Sequence, residues 1–303
     1  MLERRTFITA LAATALTAPP AVARQDSFGS EDLHRGRATV AVFINDQGPF
    51  QFIIDTAANS SVIADDLVAP LGLSPIGHIG MHTLVGREVV PAVRGRRVRS
   101  GALDARDVRF AVGSRAAIAG LDGLLGCDLL VDTKVVLNFQ GGVQRTRIVR
   151  SSAPARGILD RRDSETPFVA RGERQFGNLL VIPARIGTTQ AQAIIDSGAE
   201  GTILNRAAAV AGRAVPLRLA DGQTRWRIQS PTGEATAGEL MVLPMLDIAG
   251  MTISELPVVV GDFHTFRIAG LGDRPAMLVG LDVFRLFDAV HIDLKRSEFS
   301  VRS

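Results

Sequence analysis

Two stretches of the chain share one pattern of apolar and polar positions. Residues 52–63 read FIIDTAANSSVI, and residues 193–204 read AIIDSGAEGTIL. In both, an apolar run rich in β-branched residues ends at a carboxylate, small residues follow, and a second apolar run begins. Short apolar runs bounded by turn residues predict buried strands. The pattern therefore predicts two strand–loop–strand units, each presenting one carboxylate, Asp55 in the first and Asp196 in the second.

The surroundings of these two loops repeat as well. Alternating segments predict a hairpin before each aspartate, with strands at 37–44 and 50–54 in the first copy and at 179–186 and 190–195 in the second. Each copy later has two apolar residues and a glycine, Leu124-Leu125-Gly126 and Leu278-Val279-Gly280, followed by a helical turn and two strands. A strand end followed by a short helix is also predicted over 61–71, and a short helix is predicted over 205–211. Asp221-Gly222 predicts a hairpin turn.

Between the copies, residues 151–165 have mixed charges and little apolar periodicity, which is typical of a linker. We therefore predict an N-terminal lobe over 33–150, the linker over 151–165 and a C-terminal lobe over 166–303.

The N-terminus itself is typical of an export signal. Arg4-Arg5 is a twin-arginine motif, an apolar region follows, and a small-residue cleavage site ends at Ala23. Residues 1–23 thus predict a signal peptide and a periplasmic or secreted protein with no stable membrane span after its removal.

Composition narrows the function classes. The chain has 303 residues, of which 46% are hydrophobic and 21% charged, so it has enough apolar material for two folded cores. The net charge is only +3, and the densest basic stretch, residues 94–99, has no interleaved aromatic residue. We interpret that stretch as a solvated face and expect no nucleic-acid partner. The single cysteine, Cys127, excludes an intrachain disulfide, and we expect it to be a small buried core residue.

The triplets Asp55-Thr56-Ala57 and Asp196-Ser197-Gly198, each followed by an apolar-apolar-Gly motif, resemble the aspartic peptidase superfamily. Each copy is similar to the retropepsin-like unit of bacterial proteins, fused in tandem as in pepsin-like enzymes. The resemblance covers most of residues 33–303. It implies an all-β fold of two homologous acid-protease lobes of the closed β-barrel type. It also implies an aspartic endopeptidase that acts on a peptide or protein and needs no metal or cofactor.

The resemblance assigns Asp55 and Asp196 as the catalytic pair. Two carboxylates about 3 Å apart cannot both ionise comfortably, so they share one proton. The ionised group can then take a proton from water while the protonated group polarises the peptide carbonyl. The family also implies supporting roles for residues near this pair, namely cross-loop hydroxyls at Thr56 and Ser197, small residues at Ala57 and Gly198, and close chain passage at Gly126 and Gly280.

Two features depart from the family pattern. Ala57 stands where glycine is usual, and the chain has no tyrosine, whereas pepsin-like enzymes place a tyrosine on the flap over the cleft.

By position, the first flap is expected at 78–85 and the second at the Asp221-Gly222 turn. The residues expected to contact substrate are Gly80, Met81, His82, Asp221 and Gly222. A metal site at His78 and His82 is disfavoured because Gly77 and Gly80 argue against the helix that this spacing requires.

Three functional hypotheses remain open from the sequence. The first is the aspartic endopeptidase. The second is a peptide-binding module that kept the fold and lost catalytic turnover, and Ala57 in place of glycine would be the first sign of that loss. In the third, each lobe pairs with a lobe of another molecule, so that active sites form only in an oligomer.

Overall fold

The computed structural model describes residues 36–142, 144–151 and 168–302. The predicted signal peptide, residues 1–23, and residues 152–165 of the predicted linker lie outside these ranges, so export and the linker stay predictions. In the described part of the chain, no helix is long and apolar enough to cross a membrane.

The two sequence repeats form matching series of strands. The first contains β1 (Thr39–Ile44), β2 (Gln47–Ile54), β3 (Val62–Ala64), β4 (Ser74–His82), β5 (Arg87–Ser100), β6 (Leu103–Gly113), β7 (Gly123–Leu125), α1 (Cys127–Leu130), β8 (Thr133–Asn138) and β9 (Arg145–Arg150). The second contains β10 (Phe168–Arg171), β11 (Glu173–Gln175), β12 (Leu179–Ile186), β13 (Thr189–Ile195), β14 (Ile203–Leu204), α2 (Arg206–Ala211), β15 (Val215–Pro216), β16 (Arg225–Gln229), β17 (Ala235–Ile248), β18 (Met251–Val260), α3 (His264–Ile268), β19 (Ala276–Val279), α4 (Leu281–Phe284), β20 (Ala289–Asp293) and β21 (Glu298–Arg302).

Each repeat closes into a barrel. Within the described residues, the first barrel follows the strand order β1-β2-β7-β3-β6-β5 and closes through β1–β5 pairing, with β4 added beside β5. The second barrel follows β12-β13-β19-β14-β18-β17 and closes through β12–β17 pairing. The same order of equivalent strands in both barrels confirms the predicted all-β fold of two related lobes. Closure also leaves these strands without a free edge.

The apolar positions of the alternating strands are the residues that form the barrel cores. Along β1, Val40, Val42 and Ile44 are buried, whereas Ala41 between them is exposed. Strands that approach the aspartates are apolar on both faces, since Phe52, Ile53 and Ile54 at the end of β2 are all buried. A strand buried on both faces is expected to be continuously apolar. The continuous runs therefore mark the barrel strands that end at the two aspartate loops.

A five-stranded sheet joins the lobes, in the order β10-β21-β20-β8-β9. Its centre is the antiparallel pair β8–β20, in which Leu137 of the first lobe lies opposite Val290 of the second. In the same pair, Lys134 lies opposite Asp293, and their charged groups are 3.5 Å apart although both residues are buried. The final two strands of each repeat therefore fix the position of one barrel relative to the other.

Residues 61–71 follow the predicted order of a strand end and a short helix. The strand β3 is followed by a 3₁₀ helix, Asp65–Leu67, that continues as turns to Gly72. Pro70 has no backbone N–H to donate and disfavours helical geometry in the residue before it, so a regular helix cannot extend through this segment.

Candidate active site

Both aspartates lie at the ends of equivalent barrel strands. β2 runs parallel to β7, and Asp55 at its end donates its backbone N–H to the carbonyl of Leu125 at 3.0 Å. β13 runs parallel to β19 in the same way, and Asp196 donates to the carbonyl of Val279 at 3.0 Å. Each apolar-apolar-Gly motif is therefore the neighbouring strand of one aspartate, which explains why the two motifs recur together.

Backbone amides in each loop hold the carboxylates. Ala57 donates its N–H to Oδ1 of Asp55 at 2.9 Å. Gly198 and Ala199 donate to Oδ1 of Asp196 at 2.8 Å and 3.0 Å. Hydrogen bonds of this kind favour the ionised form of a carboxylate and fix its orientation.

The two loops meet face to face, and the carboxyl groups of Asp55 and Asp196 are close enough that the negative charge of Asp55 raises the pKa of Asp196. The approach of the loops is tight, because a Cβ atom placed on Gly198 would lie 2.4 Å from Cγ of Asp55. Asp196 is only 8% exposed, and Asp55 is half-buried. The structure therefore brings the two carboxyls, 141 residues apart in the chain, into one site.

Burial dominates the electrostatics of this pair. It raises the pKa of Asp55, against the lowering effects of the Ala57 amide and the Arg37 charge. It raises the pKa of Asp196 well above the ordinary value, and the negative charge of Asp55 raises it further. Two carboxyls coupled in this way titrate as a unit. The site therefore favours a state in which one proton is held between them.

The hydroxyl residues that follow the aspartates lock the loops together. Thr56 Oγ1 donates to the carbonyl of Ile195 at 2.7 Å and accepts from the N–H of Ser197 at 3.1 Å. In the reciprocal pair, Ser197 Oγ donates to the carbonyl of Ile54 at 2.7 Å and accepts from the N–H of Thr56 at 3.2 Å. Both side chains are fully buried. Four buried hydrogen bonds therefore connect the lobes directly beneath the carboxyls.

We expect Thr56→Val to lower the free energy of unfolding by about 1–3 kcal/mol, because it leaves a buried carbonyl and a buried N–H without partners. Urea unfolding measures this change. Thr188→Val is the matched control, since Thr188 is exposed in the turn between β12 and β13. Equal losses in the two variants would contradict the inter-lobe role of Thr56.

Gly126 and Gly280 allow the chain to pass close to the loops. A Cβ on Gly126 would lie 2.8 Å from the carbonyl oxygen of Ala58, and one on Gly280 would lie 2.9 Å from that of Ala199. Any larger residue would therefore displace the backbone of an aspartate loop.

A second pair of carboxylates anchors the loops, and the sequence reasoning missed it. Asp128 accepts from the hydroxyl of Ser61 at 2.8 Å and from its N–H at 3.1 Å. Asp282 accepts from the hydroxyl and the N–H of Thr202, both at 2.8 Å. Burial raises the pKa of Asp128 and raises the pKa of Asp282 to about 6. Overlaying the copies could have found them, because Ser61 and Thr202 each lie six positions after a loop aspartate.

Comparison with known proteins agrees with this geometry. A model of the aspartyl protease family matches residues 40–129 and 182–283, one region in each lobe. The chain belongs to the aspartyl protease family. Its fold is similar to that of an aspartic proteinase from Irpex lacteus, with a TM-score of 0.52 and 13% sequence identity over 88% of this chain and 93% of that one. A search of curated proteins finds no significant match.

In this aspartyl protease family member, each loop also contacts the segment before the other barrel. Arg37, just ahead of β1, donates to the carbonyl of Gly198 at 2.6 Å, and its Nε lies 3.6 Å from Glu200. On the opposite side, Asn59 donates to the carbonyl of Phe176 at 2.6 Å. Asn59 and Glu200 occupy the same position, four residues after their aspartates. The lobes are therefore joined on both sides of the carboxyl pair.

The first flap is the hairpin of β4 and β5, with residues 83–86 at its tip. Three expected substrate-contact residues lie on β4. Met81 is buried in an apolar cluster, Gly80 is exposed beside Arg87, and His82 is exposed next to His264 of the other lobe. The tip itself contacts α3, because His264 donates its N–H to the carbonyl of Leu84 at 3.0 Å.

The expected centre of the second flap is wrong. Asp221 and Gly222 form a separate tight turn, in which Gly222 donates its N–H to the carbonyl of Leu219 at 2.9 Å. The hairpin that reaches the first lobe is formed by β16 and β17, with residues 230–234 at its tip. Its Thr232 hydroxyl donates to Glu88 of the first flap. The two hairpins therefore meet, and we call the β16–β17 hairpin the second flap.

Cys127 and His291 have ordinary structural surroundings. Cys127 is fully buried and donates to the carbonyl of Thr56 at 3.1 Å, and burial raises its thiol pKa well above the ordinary value. Burial likewise lowers the pKa of His291 to about 4, so this sheet residue is neutral at pH 7. Across residues 36–142, 144–151 and 168–302, no three His, Cys, Asp or Glu side chains are grouped as metal ligands would be.

Proposed function

We propose that this family member is an aspartic endopeptidase that hydrolyses peptide bonds through a water activated by Asp55 and Asp196. One observation carries the proposal: Thr56 and Ser197 lock the two aspartate loops, one from each lobe, face to face, so closely that a Cβ on Gly198 would lie 2.4 Å from Cγ of Asp55. Family membership and the pepsin-like fold support the same reaction class.

The chemistry requires one proton on the pair. The ionised carboxylate accepts a proton from water as the water oxygen attacks the peptide carbonyl carbon. The protonated carboxyl donates a hydrogen bond to the carbonyl oxygen, where negative charge develops. The tetrahedral intermediate then collapses, the C–N bond breaks, and a carboxyl proton passes to the leaving nitrogen. The pair ends with one proton again, so the cycle closes without any other group.

The two flaps and the apolar cluster beside the Asp55 loop suggest how substrate is held. An extended peptide fits between the carboxyl pair and the flap hairpins, where strand backbones offer hydrogen bonds. The cluster beneath the first flap includes Met81, Val90 and Leu124, with Ala58 and Leu121 partly buried at its border. We therefore propose that apolar side chains are preferred next to the cleaved bond.

We expect hydrolysis to be fastest in acid. Because the pKa of Asp196 is raised, the pair keeps its proton to a higher pH than an isolated aspartic acid would. Activity is lost as pH rises through this raised pKa, and it is also lost in strong acid, where the second carboxyl takes up a proton. The profile of kcat/KM against pH should thus be bell-shaped.

A library of extended peptides, incubated with the protein from about pH 3 to pH 8, tests the proposal, since this range spans carboxyl pKa values and their upward shifts. Mass spectrometry identifies the cleaved bonds. Cleavage within peptides, rather than at their ends, is the expected outcome. Tight peptide binding with no cleavage anywhere in this range would instead support the binding-module hypothesis.

A further inference from the structure

Two histidines from different lobes meet at the first flap. Nδ1 of His82, at the end of β4, lies 2.8 Å from Nε2 of His264, the first residue of α3. The two rings lie edge to edge and are nearly coplanar, with centroids 5.1 Å apart and planes inclined by 13°. The residues are 182 positions apart in the chain. Nothing in the proposed hydrolysis uses this pair.

The histidine contact lies within a wider attachment of the flap tip to α3. His264 also donates its backbone N–H to the carbonyl of Leu84 at 3.0 Å. The hydroxyl of Thr265 donates to the carbonyl of Thr83 at 3.3 Å. On its inner side, Thr83 accepts from the N–H of Val85 and of Gly86 at 3.2 Å and 3.1 Å, which makes the tip a compact turn. The tip is therefore attached to the second lobe as one unit.

The protonation state of the two rings decides whether their bond can form. A bond between Nδ1 and Nε2 needs one nitrogen that carries a proton and one that does not. A neutral pair meets this requirement, and so does a pair with one additional proton. With both rings protonated, two N–H groups face each other and two positive charges lie in contact, so the bond cannot form.

Positive charges on the elements around His82 and His264 disfavour a second proton on this pair. Arg87 of β5 lies opposite His82 in the flap ladder, and Arg267 lies on α3. The acids that adjoin Arg87 and α3 in the sequence already have partners, since Glu88 accepts from Thr83 and Thr232 and the Asp262 carboxylate accepts from the Arg206 N–H. Burial lowers the pKa of His264, and the charges of His82 and Arg267 lower it further.

We propose that His82 and His264 form an acid-released latch, which holds the first flap against the second lobe near neutral pH and frees it in acid. The use of the latch rests on the proposed function, because the flap it holds would cover a bound peptide. The same acidification that supplies the shared proton of the aspartate pair would then also open the path to it. The latch therefore regulates substrate entry and has no part in bond cleavage.

The lowered pKa of His264 decides in which direction pH changes the attachment of the flap. A histidine whose pKa is lowered in the folded protein stabilises the attached state above the ordinary histidine pKa, about 6.5. That contribution is lost as pH falls through the lowered value. The flap should be attached at neutral pH and released in moderately acidic solution.

Hydrogen–deuterium exchange of the full protein measures flap release without any substrate. The reporting segments are the flap tip, 82–88, and residues 261–268, which include the His264 amide. After correction for intrinsic rates, we expect exchange in both segments to accelerate about tenfold between about pH 7.5 and pH 4.5, the range over which histidines gain charge and hydrogen bonds of this size are lost.

Two variants separate the latch from a general effect of acid. His264→Phe keeps an aromatic ring of similar shape that cannot titrate, so flap exchange should become independent of pH. His78→Asn is the matched control, because His78 is an exposed histidine on the same strand, and it should keep the wild-type dependence. Wild-type exchange that does not change with pH would overturn the latch, as would a change that persists in His264→Phe.

The exchange measurement tests the latch whether or not the protein cleaves peptides. Flap release in acid without any cleavage would leave the latch standing and remove the proposed function. Cleavage together with pH-independent flap exchange would remove the latch alone.

Discussion

Asp55→Asn and Asp196→Asn, made separately, are each expected to lower kcat/KM for peptide hydrolysis by roughly 10³-fold or more. Either change leaves one carboxyl in the site, but the reaction uses two carboxyls in different protonation states. An asparagine can neither accept the proton of the attacking water nor return one to the leaving nitrogen. Rates measured with a peptide that the wild-type protein cleaves, across the same pH range, determine the loss.

Folding should survive both changes. Burial raises the pKa of both aspartates, which means that their ionised forms are penalised in the folded state. A neutral amide removes that penalty, so thermal unfolding should occur at a temperature no lower than in the wild type. Asp221→Asn is the matched control, because Asp221 is exposed and its Oδ1 accepts from the Gln223 N–H, as an amide oxygen can. Substantial activity in either single variant of the pair would contradict a shared catalytic site.

The repeated unit could be predicted because it is encoded in local patterns. Alternation along residues 37–44 and 179–186 predicted the hairpins, and both segments lie in paired barrel strands. The aspartate loops were visible because apolar runs end abruptly at Asp55 and Asp196. Both features involve neighbours in the chain, where sequence and structure are most directly related.

The second flap could not be placed, because two turns compete within a short stretch. Asp-Gly is the stronger local turn signal, and it does form a turn at Asp221-Gly222. The hairpin that reaches the other lobe has a less distinctive tip, Ser230-Pro231-Thr232-Gly233, and what distinguishes it is the ladder of five residue pairs between β16 and β17. Ladder length depends on how the barrel closes, and this is not a local property.

The contacts between the lobes were the features that could least be predicted from the sequence. The His82–His264 pair and the Arg37–Gly198 hydrogen bond join residues 182 and 161 positions apart, and no spacing rule relates them. The Ser61–Asp128 pair is intermediate, since its residues are 67 positions apart but an equivalent pair, Thr202–Asp282, occurs in the second copy. Internal duplication can therefore reveal long-range pairs within a lobe, whereas contacts between lobes emerge only from the folded arrangement.

Gly198→Ala and Ala57→Gly are expected to have unequal effects, although the two positions are equivalent in the repeat. A methyl group on Gly198 would lie 2.4 Å from Cγ of Asp55 and 2.5 Å from its Oδ2, so one loop must move. Displacing a catalytic group by about 1 Å can cost roughly 10²-fold in rate, and we expect kcat/KM to fall by about that factor.

Ala57, in contrast, has no left-handed backbone and packs against the core, so the first loop already accommodates its methyl group. Replacing it with glycine adds freedom to the unfolded chain and should lower the free energy of unfolding by only about 0.4–1 kcal/mol. Its activity should stay within a few-fold of the wild type. Parallel measurements of kcat/KM and urea unfolding on the two variants test this asymmetry. If Gly198→Ala retained full activity while Ala57→Gly lost it, the close packing of the second loop on Asp55 would not be what aligns the two carboxyls.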